Sequence, residues 1–270
     1  MTQATRFLGV DFSGAKDAGR KIWLAEARLE TGALAVVSCR PASRLPRSRV
    51  ARAHCWEPLV DAITEPDIAA AGLDFPFGLP RLLVREALWA EFVRSFSDRF
   101  ASPEDLGVTC TAIALAESGV KELKRETDVE QKTPFSPYNI RLRSQTYYGI
   151  GEVLARLVSQ DRCRIFPMQE PAAGKPLIVE ICPASTLKKY GLSLPYKGSV
   201  FQEERAQLLD RFIGRTRIRV SDEAKGLAIA DSGGDAMDAI IAAEATYRAW
   251  RDRQSFRGTE AHRIEGCVFA

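Results

Sequence analysis

Short apolar runs bounded by turn residues recur along the chain, and each predicts a buried β-strand. Five segments fit this pattern: residues 6–11, 21–30, 32–40, a run through Leu73, and the segment 175–186, in which Pro183 ends the strand. Two of these runs end at an acidic residue, Asp11 or Asp74, before a glycine or proline turn. The tail, residues 263–270, is a candidate for a last edge strand. The chain is therefore expected to open with three strands that pair side by side.

Segments with apolar residues at helical spacing separate or follow these strands. Helices are predicted near 56–63, across much of 81–130, and over 146–160, 201–215 and 231–250. Strands that alternate with helices are typical of an α/β fold with a mixed sheet. We expect a single domain, 1–270, in which a helical insertion at about 81–160 covers one end of the sheet.

Composition narrows the class of protein without identifying a partner. Hydrophobic residues make up 46% of the chain, which excludes a largely disordered protein. The 38 Lys and Arg residues exceed the 35 Asp and Glu residues by only three, so an overall polycationic surface for nucleic acid is not indicated. No apolar run approaches the roughly 18 residues of a membrane span, so we expect a cytoplasmic protein without a membrane partner. The sequence does not indicate an oligomeric state.

The cysteines and histidines give little support for metal or nucleophile chemistry. The six cysteines are scattered and form no Cys-x-x-Cys pair, which argues against a zinc ribbon. His54 and His262 are the only histidines, which is thin support for a histidine-based metal site or triad. The acidic residues are the stronger candidates.

Five acidic residues near the ends of predicted elements form the candidate catalytic site: Asp11, Asp74, Glu180, Asp235 and Asp238. Ligands of α/β proteins gather outside the carboxyl ends of strands, where Asp11 and Asp74 are expected. Asp235 and Asp238 are three residues apart and share a helix face. Converging carboxylates repel one another, and Mg²⁺ or Mn²⁺ relieves that repulsion. The four aspartates are the candidate metal ligands, and two bound ions would activate water and stabilise the leaving oxygen of a phosphodiester.

Each acid also has a structural alternative. Asp11 and Asp74 could bond the backbone of the turns that follow them. Asp235 could complement the dipole at a helix start, and Glu180 could pair with an arginine. The metal hypothesis depends on the recurrence of all these acids at element ends.

Four residues are candidates for binding a substrate phosphate. Lys132, Arg141 and Arg143 lie in a proline-containing basic segment, and Ser13 follows Asp11 in a glycine turn. Cationic side chains hold the phosphate backbone of nucleic acids, and the N–H groups near Ser13 suit a phosphate oxygen. The alternative is that the basic residues form a solvated surface.

Four motifs follow one another from about residue 6 to the EGCVF tail: GVDFSGA, AGLDFPFGLP, IVEICPAST and GGDAMDAIIAAEATYRA. In this order they resemble the bacterial predicted nucleases with a ribonuclease H-like fold known as domain of unknown function family 429. The resemblance implies a five-stranded mixed sheet of strand order 3-2-1-4-5, flanked by helices, with an acidic site at the carboxyl end of its central strands. It matches Asp11, Asp74 and Glu180 to the strand acids of the family, and Asp235 and Asp238 to its D-A-x-D-A helix.

Three functions remain open. The first is a metal-dependent nuclease that cleaves RNA or DNA by a two-metal mechanism, with nucleic acid as its partner. The second is a phosphoryl-transfer enzyme of the actin and sugar-kinase type, for which no convincing second phosphate loop is found. The third is a non-catalytic module that binds a nucleotide or a partner in the same cleft. The acidic residues favour the nuclease.

Overall fold

Seven strands form one mixed sheet in the computed structural model, which describes residues 6–192 and 194–270. The strands are β1 (Arg6–Asp11), β2 (Trp23–Glu30), β3 (Ala33–Pro41), β4 (Ile68–Asp74), β5 (Arg164–Phe166), β6 (Leu177–Glu180) and β7 (Arg219–Val220). Helices flank the sheet, so the predicted α/β class is confirmed.

The helices of the described chain range from one turn to five. They are α1 (Ala18–Lys21), α2 (Trp56–Ile63), α3 (Trp89–Arg99), α4 (Pro103–Ser118), α5 (Glu126–Glu130), α6 (Arg143–Tyr148), α7 (Ala155–Gln160), α8 (Pro183–Lys189), α9 (Gln202–Thr216), α10 (Asp222–Ala230), α11 (Asp235–Asp252) and α12 (Glu260–Glu265). A π-helical turn, Gly149–Leu154, joins α6 to α7. The regular elements between residues 81 and 160 are all helical, as predicted. Among the helices described, none combines the length and apolar character needed to cross a bilayer.

The strands lie in the order β5-β6-β4-β1-β2-β3-β7. Strand β2 pairs antiparallel with both β1 and β3, whereas all the other pairs in the sheet are parallel. The sheet has two more strands than the five predicted, because β5 and β7 extend its edges with three and two residues. Runs this short show no period of apolar residues, so the sequence pattern does not indicate them.

The tail does not form the predicted edge strand. Residues Glu260–Glu265 form α12 instead, and beyond them Val268 makes a single parallel bridge to Glu180. Thr259 caps the start of α12 by accepting the backbone N–H of His262. This local hydrogen bond stabilises a helix where the short apolar tail indicated a strand.

Both faces of the sheet are covered by helices. Successive side chains of a strand point to opposite faces, so neighbours in β1 enter different cores. Phe7 packs in the core that α9, α10 and α11 share, and Leu8 packs in the core that α2 and the insertion helices share. Strands buried on both faces have continuous apolar sequences, which is why β1, β4 and β6 were predictable.

Helix α11 lies directly against the backbone of the two central strands. A Cβ atom on Gly9 would lie 2.1 Å from the backbone N of Ala243 and 2.3 Å from the carbonyl oxygen of Ala239. Gly72 is the register partner of Gly9 in β4, and a Cβ there would lie 2.0 Å from Oγ1 of Thr246. The two glycines therefore set how closely α11 approaches the sheet.

The substitution Gly9→Ala tests this contact. The new methyl group meets helix backbone that cannot rotate away, so we expect a loss of about 3 kcal/mol or more in the free energy of unfolding. The matched control is Gly214→Ala in α9, where a Cβ meets no atom within 4 Å. That variant should be more stable than the wild type by about 0.5–1 kcal/mol, because alanine favours helix over glycine. Chemical denaturation measures both; equal stability of the two variants would contradict the contact.

Candidate functional site

Asp11 and Asp74 lie side by side at the carboxyl ends of two parallel strands. They are register partners in β1 and β4. Asp11 is two residues beyond Gly9, and Asp74 is two residues beyond Gly72, so both side chains project from the face that α11 covers. Strand register and side-chain alternation therefore bring the two acids together.

Helix α11 brings a third carboxylate to the same place. Asp238 lies in the first turn of α11 and is buried, with 2% of its surface exposed. Gly234 precedes the helix with φ at 77°, a conformation that suits glycine. At this end of the helix the N–H of Ala236 donates to Asp231 at 2.9 Å, so Asp231 has the helix-start role considered for Asp235.

Burial and mutual repulsion perturb these carboxyls. Burial, followed by the charges of Asp238 and Asp74, raises the pKa of Asp11 well above its ordinary value. Burial and the charge of Asp238 raise the pKa of Asp74 to about 8. We call Asp11, Asp74 and Asp238 the aspartate cluster, and their negative charges repel one another.

Lys197 lies against the aspartate cluster. Its Nζ atom is 2.6 Å from Oδ2 of Asp238, and the hydroxyl of Tyr196 donates to Oδ1 of Asp238 at 2.7 Å. The charge of Asp238 raises the pKa of Lys197 although burial opposes it, and Asp11 and Asp74 add to the rise. The ammonium group is therefore charged at neutral pH and offsets part of the negative charge of the cluster.

A buried arginine holds the loop that carries Tyr196 and Lys197. Arg205 of α9 is 1% exposed, and its guanidinium donates to the carbonyl oxygens of Ile229, Tyr196 and Gly198 at 2.8, 2.9 and 2.8 Å. Sequence reasoning missed both Lys197 and Arg205. The loop has no hydrophobic period, and its only sequence signals are turn residues such as Gly198.

Glu180 lines the same cavity as Asp11, Asp74 and Asp238, but its side chain leaves its strand on the other face of the sheet. It is the register partner of Leu73 in β4, the residue immediately before Asp74. Because side chains alternate along a strand, Glu180 and Leu73 share one face of the sheet, whereas Asp11 and Asp74 share the other.

Both carboxylate oxygens of Glu180 are bound by a buried arginine. Arg125 donates to Oε1 at 2.6 Å and to Oε2 at 2.9 Å, and the N–H of Phe77 also donates to Oε2 at 3.0 Å. Asp128 pairs with the same guanidinium at 2.8 Å. Burial opposes the charge on Arg125, but Asp128 and Glu180 raise its pKa well above that of a free arginine. The arginine pair considered for Glu180 is what the structure shows.

Asp235 also lies outside the aspartate cluster. Its Oδ2 atom is 4.0 Å from Nζ of Lys21. Burial, with a contribution from Asp231, raises the pKa of Asp235 to about 6. A separation of three residues rotates two helix positions apart by about 60° and displaces them by about 4.5 Å along the axis. Of these two residues of the first turn, Asp238 lines the cavity at the strand ends, whereas Asp235 is not among its described lining residues.

The four predicted phosphate-binding residues are dispersed. Arg141 lines the cavity beside the aspartate cluster. Arg143 instead begins α6 and pairs with Glu104 at 3.2 Å. Ser13 accepts a backbone N–H in its own turn at 3.3 Å, and Lys132 is exposed, with φ at 53°. Of the four, only Arg141 is among the described residues that line the cavity.

A cavity of about 220 Å³ opens beside the aspartate cluster. Its walls include the ammonium group of Lys197 and apolar side chains such as those of Phe75, Phe135 and Leu142. The guanidinium carbon of Arg141 lies 5.4 Å from the ring centre of Phe135, within the range of a cation–π contact. The cavity thus combines acids, cations and apolar surface, a combination that suits an organic phosphate together with a metal ion.

The donor chemistry of the aspartate cluster fits a hard divalent cation. Carboxylate oxygens are the ligands that Mg²⁺ and Mn²⁺ prefer. Three carboxylates face one ammonium group, so a divalent cation would offset the remaining repulsion. Across the described residues, the three aspartates do not gather their oxygens within 4.8 Å of one another. Binding therefore requires these side chains to turn toward a shared ion.

A second group, Glu126, Glu130 and His262, does have its ligand atoms within that distance, but its hydrogen bonds explain it. The N–H of Thr259 donates to Nδ1 of His262 at 3.1 Å, and Nε2 lies 2.9 Å from Glu130. A neutral imidazole with an acceptor at Nδ1 carries its proton at Nε2. Metal binding through Nε2 would move that proton to Nδ1 and break the cap of α12. We therefore interpret this group as a helix cap.

No protein-family model, curated protein or solved structure matches the chain. The geometry and charge of the site itself are therefore what indicates a function.

The substitution Asp11→Asn tests the repulsion within the aspartate cluster. In the folded protein the pKa of Asp74 is about 8, above the roughly 3.9 of an unfolded aspartate, so the folded state binds more protons between these values. The free energy of unfolding of the wild type in EDTA should therefore fall as pH rises toward 8. Asparagine at position 11 carries no charge and can donate to Asp74, so the variant should be more stable at pH 8 by about 1–2 kcal/mol.

Urea denaturation in EDTA at pH 6 and pH 8 measures this difference. The control is Asp210→Asn on the exposed surface of α9, which should leave stability within about 0.5 kcal/mol of the wild type. A variant at position 11 that is less stable than the wild type at both pH values would show that the Asp11 carboxyl is a structural requirement.

Proposed function

We propose that the protein is a divalent-cation-dependent hydrolase of phosphodiester bonds in RNA or DNA. The observation that carries this proposal is the aspartate cluster, in which β1, β4 and α11 direct three carboxylates at one cavity. The raised pKa of Asp11 and of Asp74 supports it, because such shifts are frequent where acids are assembled for binding or catalysis.

The sheet is compatible with the ribonuclease H-like architecture that the motif resemblance implies. Strands β3, β2, β1, β4 and β6 are consecutive neighbours in the sheet. If β5 and β7 are edge additions, this row corresponds to the order 3-2-1-4-5. We propose that relation on the strand order and the motifs together. Because one fold supports many activities, the proposed activity depends on the site.

Each part of the cavity has a role in the proposed hydrolysis. Asp11, Asp74 and Asp238 would hold the cation, which supplies Lewis acidity and lowers the pKa of a bound water. A water oxygen forms a bond to phosphorus while the P–O ester bond breaks. One proton of that water reaches the leaving oxygen and the other leaves the new phosphate group. The products are an alcohol and a phosphate monoester.

The remaining side chains of the cavity bind and orient the substrate. Arg141 supplies a fixed positive charge for a phosphate oxygen. Phe135 and Leu142 supply apolar surface for a base or a sugar and exclude water from the reacting phosphate. This combination favours a nucleotide unit over inorganic phosphate as the group recognised.

Removal of one cluster carboxylate tests the proposal. We expect Asp74→Asn to weaken Mn²⁺ and Mg²⁺ binding at least about tenfold, because one of three hard oxygen ligands is lost. Isothermal titration into the wild type and the variant measures this. Cleavage of single-stranded and duplex RNA and DNA oligonucleotides should require the cation and fall at least about 100-fold in the variant.

Asp210→Asn serves again as the matched control and should bind and cleave as the wild type does. Equal Mn²⁺ affinity of the wild type and Asp74→Asn would contradict the metal site. A wild type that binds Mn²⁺ through Asp74 but cleaves none of the oligonucleotides would contradict the nuclease activity and leave the metal site in place. A thermal shift caused by nucleoside triphosphate would instead favour phosphoryl transfer.

A further inference from the structure

The aspartate cluster already contains one cationic group. The ammonium of Lys197 contacts Asp238 at 2.6 Å, and the side chain is 54% exposed at the cavity wall. The other oxygen of Asp238 accepts the hydroxyl of Tyr196, so the Asp238 carboxylate is oriented from both sides. An ammonium has three N–H donors, and the contact with Asp238 uses one of them.

The position of Lys197 is set by the protein around it. The guanidinium of Arg205 fixes the backbone on both sides of Lys197 through the carbonyls of Tyr196 and Gly198. On the other side, a Cβ on Gly234 would lie 3.0 Å from the ring of Tyr196 and 3.1 Å from Cγ of Lys197. The start of α11 and the lysine loop are thus packed closely enough that a larger residue at position 234 would displace the loop.

The acids that would complete a second metal site are used elsewhere. Glu180 and Arg125 both line the cavity, and Arg125 binds both oxygens of Glu180. Asp235 lies 4.0 Å from Lys21 and is not among the described residues that line the cavity. The cavity wall also includes Glu180 and Asp128, but Arg125 binds both of them. Among the described carboxylates of the wall, the three of the aspartate cluster therefore have no arginine partner, and they carry three negative charges when ionised. Lys197 balances one of these charges, and one divalent cation balances the other two.

We propose that the aspartate cluster binds a single divalent cation and that Lys197 takes the place of a second one. This inference rests on the proposed function. With one N–H on Asp238, the ammonium can direct another at a non-bridging oxygen of the substrate phosphate, where it offsets developing negative charge without donating its proton. Lysine is suited to this role because it acts as a compact charge on a flexible stem.

Titration of Mn²⁺ into the whole protein, followed by calorimetry and by the electron paramagnetic resonance of free Mn²⁺, tests the proposal. The wild type should bind one ion that Asp74→Asn loses. Lys197→Met keeps the length of the side chain and removes its charge, so its first Mn²⁺ should bind at least about tenfold more tightly. Lys121→Met, on an exposed residue of the insertion, should bind Mn²⁺ as the wild type does.

A second readout measures the phosphate contact. At saturating Mg²⁺, thymidine monophosphate should bind Lys197→Met at least about tenfold more weakly than the wild type, because a charged hydrogen bond is lost. Lys197→Arg, which keeps the charge, should retain more of this affinity than Lys197→Met. Because the side chain of Lys197 is about half exposed, we expect both variants to fold. Their thermal unfolding temperatures check this expectation.

The outcomes separate this inference from the proposed function. Two ions lost together in Asp74→Asn would overturn the single-ion inference while supporting the metal site. Unchanged Mn²⁺ and thymidine monophosphate affinities in Lys197→Met would overturn the role of Lys197 alone. A wild type that binds no Mn²⁺ would overturn the proposed function and, with it, this inference.

Discussion

The contact between α11 and the central strands determines where the acidic side chains of this protein meet. Gly9 allows the helix backbone to lie directly on β1, and Gly72 leaves room on β4 for the side chain of Thr246 in the same helix. The same spacing brings Asp238, in the first turn of the helix, to the carboxyl ends of those strands. Asp11 and Asp74 lie on the strand face that α11 covers, so the cluster follows from helix packing and strand register together.

This packing creates an electrostatic cost that the surrounding residues only partly offset. Burial and like charge raise the pKa of Asp11 and of Asp74, whereas Lys197 supplies one compensating charge. In the same cavity wall, Arg125 binds both carboxylate oxygens of Glu180. The contrast is informative, because buried acids in structural roles have their partners within the fold. The aspartate cluster keeps a deficit of positive charge, which a cation can fill.

Sequence patterns predicted much of the sheet and part of the site, for identifiable reasons. Strands buried on both faces are continuous apolar runs, so β1, β4 and β6 were predictable, and their ends located Asp11 and Asp74. The edge strands β5 and β7 are too short to show a period. Glu180 pairs with Leu73 and not with Asp74, so its side chain lies on the other face of the sheet. The sequence could not show this, because it depends on how β4 and β6 pair.

The residues that sequence reasoning missed are those whose role depends on distant contacts. Lys197 lies 41 positions before Asp238 in an irregular loop, and Arg205 acts only on backbone carbonyl groups. No local pattern distinguishes these side chains from the many other lysines and arginines of the chain. Charge balance around a buried cluster is a property of the folded protein. It is the basis of our proposal of one bound ion in place of the two that the sequence suggested.

The most direct test of this account is the anomalous diffraction of crystals grown with Mn²⁺. One manganese peak bounded by the carboxylates of Asp11, Asp74 and Asp238, with Lys197 nearby and no manganese beside Glu180, is the predicted result. The contrary result is an aspartate cluster without manganese at concentrations that fill other sites on the protein. That result would show that Lys197 and protonation of the carboxyls stabilise the cluster without a cation.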